Sequence, residues 1–334
     1  MRPATIYDVA RRAGVSHQTV TRYLQGFEGI RPATRERVAE ALTNLEYRPN
    51  TAARLLRSRE TNRIGVLADS IDATGPARIL HGASELARER GYVLDVVVTD
   101  GSSAKSVATS LAMLTEHQVA GILVTAQTEI VLNEMRRQSL TSPLVIEPQI
   151  GAVEGGPTTS EIAGQLAADH LLDFGHRELG YISGPNLWLS SKGRRDGFLR
   201  RVAERGGTVV WVREGDWSAR SGHEAWESLA DSERKVTAIA AANDSMAIGL
   251  ISAAYDSGVN VPSDLSVLGN DDAPESKYLL PSLSTIAMDF EGEGRLVLGA
   301  LIRQIEGTTS DVAVEFSAPI VIARASTAPR VSSR

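Results

Sequence analysis

The chain has no cysteine among its 334 residues. Disulfides and cysteine-ligated metal sites are thereby excluded, and the composition suits a reducing cytosol. No stretch approaches the ~18 consecutive apolar residues of a membrane span. The amino terminus, MRPATIYDVA, lacks the ~7–15-residue apolar core of a secretory signal. A cytoplasmic protein without membrane contact is expected. The six histidines (17, 81, 117, 170, 176 and 223) show no metal-ligand spacing. G-x-S-x-G, P-loop and H-E-x-x-H motifs are missing, and GEGRLVLG (292–299) lacks dinucleotide spacing. No cofactor, no metal and no enzyme activity are therefore expected. A glycosidase needs only a pair of carboxylates with one tuned acid, so the motif survey leaves that rival open.

Lysine is absent from the first 60 residues, which hold 11 arginines against 6 acids. That segment carries +5 in a chain of net −6, so the remainder carries −11. A basic head on an acidic body fits a nucleic-acid module joined to something else. Arginines clustered on solvated helix faces give the same count.

The head reads as short helices. Thr5 and Asp8 form a capping-box pattern that opens a helix through Ala13. Gly14 breaks it, and Ser16 starts a second helix to about Leu24. Pro32 suits a first helical position, and Val38, Ala41, Leu42 and Leu45 mark one buried helix face. Asn50 can cap a fourth short helix, TAARLLRS.

From residue 62 the pattern changes. Short β-rich runs begin at Ile64, Val93, Gly121 and Pro143, then at Leu179, Thr208, Ala238, Leu265 and Ser284. Helical stretches fill the gaps, which implies parallel sheets with right-handed crossovers. Ligands in such sheets bind beyond the carboxyl ends of the strands, where AND (242–244) and GNDD (269–272) fall. The expected fold is a small all-α helix–turn–helix head plus hinge helix, then an α/β core of two doubly wound parallel-sheet lobes. The expected boundaries are 1–48 for the head, 49–61 for the hinge and 62–334 for the core. The first lobe takes about 62–158 and 290–320, the second about 159–289 and 321–330.

A helix, a glycine turn and a second helix make a helix–turn–helix, whose second helix lays its first residues on base edges in the major groove. Here these are His17, Gln18 and Thr19, with Arg22 one turn on. Gln pairs with adenine, while His and Arg donate to guanine. Thr5, Tyr7, Ser16 and Thr34 are hydroxyls placed for phosphates. Ala10, Ala13, Val15, Val20 and Leu24 are the expected packing residues. Taken singly, each polar position reads more readily as a solvated residue; their joint pattern reverses that and points to double-stranded operator DNA.

TIYDVARRAGVSHQTVTRYLQG, RPATRERVAEALTNLEYRPN, AARLLRS and IGVL together resemble the lactose/galactose repressor family of bacterial transcription regulators. The similarity covers nearly the whole chain. It implies a core like the periplasmic sugar-binding proteins. It also implies a hinge helix that pushes a leucine into the minor groove. Leu56 holds that position, with Asn50 and Ala53 on the same helix. An apolar wedge of this kind unstacks a base step, at a cost of roughly a few kcal/mol that contacts with bent DNA offset.

REGDWSARSG (213–222), AND, GNDD and PSLSTIAMDF (281–290) look like segments of the lactose-repressor branch of that family. Position by position, the resemblance implies that Arg194, Trp217, Asn243 and Asp271 bind a small sugar effector. Pro76 and Ile79 stand at the mouth of the first lobe, and Ser190 lies just before Arg194. Asp271 and Asn243 suit vicinal hydroxyls, Arg194 supplies a donor fork, and Trp217 offers an apolar face. Thr125, Thr158 and Met288 stand where that branch has polar or aromatic contacts, and Glu147 matches its acid only loosely. Trp188, in GPNLWLSS, is an extra aromatic expected to stack a second ring. Asp272 and Asp244 have an alternative as helix caps, and Arg195 as a surface charge. A carboxyl-terminal STAPRVSSR without a leucine heptad argues for a homodimer. The expected function is a sugar-responsive repressor released from operator by a β-galactoside or related saccharide. A different glycoside, a ligand acting as corepressor, or a sugar-transport protein without a DNA role are the alternatives.

Overall fold

A computed structural model describes residues 4–24, 26–45, 47, 61–138, 142–146, 156–308 and 317–330. The expected hinge residues Asn50, Ala53 and Leu56, and Glu147, lie outside the described residues. The chain divides into two compact units, Met1–Thr61 and Asn62–Arg334.

In the first unit α1 spans Ile6–Ala13, α2 His17–Leu24 and α3 Pro32–Asn44. The capping box forms as expected, and Gly14 ends α1 in the left-handed region at φ 67°. Pro32 opens α3, where its missing N–H costs no helix bond. Val9, Ala10, Ala13, Val20, Val38 and Ala41 make the core, with Val15 and Leu42 packed against it. Leu24, expected inside, is 37% exposed. Val9, on α1, is fully buried. One turn of amphipathic spacing defines the inward face of a short helix only coarsely.

The second unit begins with β1 (Arg63–Ala68), α4 (Thr74–Glu89), β2 (Val93–Val98), α5 (Ala104–Glu116), β3 (Gly121–Val124), α6 (Glu129–Arg137) and β4 (Leu144–Ile146). Then come α7 (Thr159–Asp173), β5 (Glu178–Ser183), α8 (Leu189–Glu204), β6 (Thr208–Glu214), α9 (Ala219–Glu227), β7 (Ala238–Ala241), α10 (Asp244–Asp256) and β8 (Ser266–Leu268). The chain continues through β9 (Thr285–Ala287), α11 (Phe290–Glu306) and β10 (Ile320–Ile322). Two parallel sheets result, in orders β2-β1-β3-β4 and β6-β5-β7-β8. Central strands β3 and β7 are buried throughout, whereas edge strands β2 and β6 are partly exposed. That is the signature of helices covering both faces of a parallel sheet.

The nine strand expectations correspond to β1–β9; β10 was not anticipated. It pairs antiparallel with β9 in a separate two-stranded ribbon. The expected 320/321 division falls inside it. Helix α11 packs back on α4, β3 and β4. GEGRLVLG lies inside α11 and is no cofactor loop.

Candidate functional site

In the head, His17, Gln18 and Arg22 are exposed on α2, and Thr19 is half-buried. Tyr7 is 62% exposed, and its ring lies 5.2 Å from that of His17. Thr34, near the start of α3, is half-buried. Two of the expected phosphate hydroxyls have other partners. Thr5 Oγ1 donates to Asp8 Oδ2 at 2.6 Å, so its proton is committed to the capping box. Ser16 Oγ accepts from the Thr19 amide at 3.2 Å and lies 3.0 Å from Thr19 Oγ1. A cap satisfies a helix N–H that would otherwise lack an acceptor, and that local demand claims the hydroxyl first.

In the core, all nine expected effector residues line one cleft: Pro76, Ile79, Trp188, Ser190, Arg194, Trp217, Asn243, Asp271 and Met288. It holds about 810 Å³ of space not filled by atoms, the solvent at its open mouth included. The residues arrive from the carboxyl ends of strands in both sheets, as parallel topology requires.

Arg194 is seated by close helix packing. A Cβ on Gly164 of α7 would meet Arg194 O at 2.0 Å, so only glycine lets α8 approach this closely. Arg194 Nη1 lies 3.0 Å from Asp271 Oδ1 and also donates to the Ala242 carbonyl. Asn270 Nδ2 donates to the same Asp271 oxygen at 2.8 Å. Both partners are 6% exposed. Burial pushes the Asp271 carboxyl above its ordinary range, and Arg194 opposes that shift. Three buried polar atoms at the start of α7 and α8 have no hydrogen-bond partner among the described residues: Thr159 Oγ1, Ser191 Oγ and Arg194 Nε. Such atoms call for an occupant or ordered water.

Trp188 and Trp217 meet edge to face, with centroids 6.4 Å apart and planes at 87°. Trp217 is itself wedged. Its ring packs on Gly184, where a Cβ would come within 2.3 Å, and Arg194 lies over it at 5.9 Å. Five non-glycine residues have positive φ among the described ones, and Ser70, Trp217 and Asp271 of these line the cleft. Backbone strain of this kind gathers at functional sites.

Several expected roles change. Asn243 caps α10 through Oδ1, accepting from the Met246 amide, and its Nδ2 donates to the Trp217 carbonyl, both at 2.9 Å. Half of its hydrogen-bonding capacity is therefore structural. Asp244 is not the cap. It is buried behind the cleft, accepting from the Ala273 amide, Ser276 Oγ and Thr285 Oγ1. Burial, then the nearby Asp271 charge, pushes it up to about 7. Asp272 caps no helix and pairs with Arg324 at 2.6 Å. Arg195 pairs with Asp196 outside the cleft lining. Thr158 is the cap of α7, and its neighbours Thr159 and Ser160 reach the cleft instead, beside Thr125. Ser70, Gln127, Phe290 and Glu293 line the cleft without having been anticipated. The strand-end rule, applied past Thr125, points to Gln127; helical position alone gives no signal for Glu293.

A model of bacterial regulatory proteins of the lacI family matches residues 5–50, and one of periplasmic binding protein-like domains matches residues 168–327. The HTH-type transcriptional repressor PurR of Edwardsiella ictaluri (strain 93-146) is 32% identical, covering 97% of each chain. The chain belongs to the LacI family. Among solved structures, the lac repressor dimer bound to operator and the anti-inducer ONPF is similar to this LacI-family chain with a TM-score of 0.86. It shows 27% identity over 98% of this chain and 100% of its own. The transcriptional regulator CelR in complex with cellobiose is similar with a TM-score of 0.69. Its identity is 26% over 97% of this chain and 99% of its own. This LacI-family protein is a DNA-binding transcriptional repressor, a class of regulators and not of enzymes. No helix among its described residues is long and apolar enough to cross a membrane.

Proposed function

We propose that this repressor responds to a saccharide in the cleft, a β-galactoside or related glycoside, and that occupancy releases operator DNA. One observation carries the reading. A buried carboxylate–guanidinium pair, unpartnered buried donors and two perpendicular indoles converge where strands of both sheets end. Such a site offers directed bonds for ring hydroxyls and apolar faces for ring C–H groups. The cellobiose carried by the CelR structure supports the same class of ligand. The reading places the protein in the cytoplasm as a homodimer, because a two-fold operator matches two identical heads. His17, Gln18, Thr19 and Arg22 read bases. The lobe division at about 158/159 and 289/290 belongs to the same reading, the clamp closing between the two sheets. Tyr7 and Thr34 approach the phosphates, and Asn50, Ala53 and Leu56 act in the hinge.

A gel shift on DNA upstream of the neighbouring genes, titrated with lactose, galactose, allolactose and cellobiose, tests it. At least one of these sugars is expected to weaken operator binding tenfold or more. Trp188→Ala is expected to weaken disaccharides more than monosaccharides in calorimetry. Operator binding indifferent to all four sugars would overturn the reading. Tightened binding would make the sugar a corepressor and overturn release.

A further inference from the structure

Helix α8 carries Trp188, Ser190 and Arg194 to the cleft, yet it lacks a side-chain cap of its own. Its capping position is Trp188, whose side chain accepts no hydrogen bond there. The first N–H of the helix, on Leu189, donates instead to the Gln127 carbonyl at 3.0 Å. Gln127 follows β3, in the other sheet. Thr128 and Trp188 form an isolated antiparallel bridge, and Lys192 of α8 pairs with Glu129 at the start of α6. This segment is itself firmly held. Thr128 is 1% exposed, caps α6 by accepting from the Val131 amide, and donates to the Gly101 carbonyl at 2.7 Å.

We propose that residues 127–129 are a helix cap supplied across the cleft. They position the amino terminus of α8, so that its effector contacts are in register only while the two sheets' lobes are closed. Separation of the lobes takes away the acceptor of Leu189 N–H and the partner of Lys192 together. The first turn of α8 then loosens, and Trp188, Ser190 and Arg194 lose their mutual placement. The inference rests on the reading that the effector occupies this cleft. It also explains why an indole stands where capping chemistry favours Ser, Thr, Asp or Asn.

Leu189→Pro isolates the crossing bond. Proline suits a first helical position, and Trp188 already has the extended backbone (φ −83°, ψ 128°) that a following proline needs. The substitution removes the one donor and turns a ring CH₂ toward Gln127. Leu189→Ala keeps the donor. Glu129→Lys sets two cations against each other, and adding Lys192→Glu restores an opposite-charge pair. Hydrogen exchange on the full chain without sugar is the first readout. Residues 190–194 should exchange several-fold faster in Leu189→Pro and Glu129→Lys, and as in the parent for Leu189→Ala and the charge swap. Calorimetry with cellobiose and lactose is the second, with affinity expected to fall about threefold to tenfold in the same two variants, the scale of one net hydrogen bond. Unchanged exchange in both variants, or an equal rise in Leu189→Ala, overturns the cross-cleft cap. Altered exchange with no sugar bound by the parent protein leaves the cap standing and overturns the sugar reading.

Discussion

Arg194 and Asp271 face the sharpest energetic conflict in the cleft. Each is 6% exposed, so each has given up most of its hydration for a partner 3.0 Å away. Removing one partner strands the other charge. Arg194→Met is expected to destabilise the core by about 3–5 kcal/mol, read as a lower urea midpoint. Adding Asp271→Asn should recover part of that loss, because it removes the stranded charge, keeps an acceptor for Asn270 and tolerates the positive φ at this position. If Arg194→Met left the midpoint unchanged, Asp271 would have found water or another donor, and its burial would have been misjudged.

At the scale of elements, residues Thr327 and Ala328, which follow β10, are tied to α7 and to the turn before β5 by two histidines. His170 Nε2 lies 3.0 Å from Thr327 Oγ1. His176 Nδ1 accepts from Thr237 Oγ1 at 2.8 Å, and Nε2 donates to the Ala328 carbonyl at 3.1 Å. Burial lowers both from the ordinary value of 6.5. Above that value the folded and unfolded chains are both neutral at these sites, and pH has no effect through them. Below it the unfolded chain takes up protons first, so stability falls as the medium is acidified toward the lowered folded values. Buried Asp244, raised to about 7, contributes with the opposite sign over the same window, so the histidine effect is read as a difference between proteins. From pH 7.5 to 5 the urea midpoint of His176→Gln should shift upward relative to that of the parent; an identical pH dependence in the two proteins would remove His176 as an acid-sensitive tie.

For the whole molecule, the separation of charge matters most. A +5 head and a −11 remainder concentrate attraction for phosphate on the first 60 residues. Operator affinity is expected to fall steeply with salt, by roughly 10³-fold or more between 50 and 200 mM if two heads neutralise about six phosphates. Sugar affinity should barely change over the same range, because the Arg194–Asp271 pair is shielded from counterions. Arg22→Ala should cost operator binding about 1–3 kcal/mol without altering sugar affinity. A gel-shift series across ionic strength, run beside calorimetry, checks both. A flat operator response would remove the electrostatic role of the head.

Local chemistry determined much of this protein before any folding. The capping box at Thr5 and Asp8, the turn at Gly14 and the proline opening α3 are short-range signals, and each forms as written. Alternation of β-rich and helical runs likewise specifies parallel sheets, and parallel sheets put Trp217, Asn243 and Asp271 at one rim. Tertiary structure alone decided which polar groups are left for a ligand. Asn243 is partly committed to a carbonyl 26 residues away, and Asp244 is held by residues 29 to 41 positions distant. The start of α8 takes its cap from Gln127, more than 60 positions back in the chain. Side-chain type and spacing announce hydrogen-bonding capacity, but a bond already made to a distant segment subtracts from it, and only the folded arrangement brings that segment near.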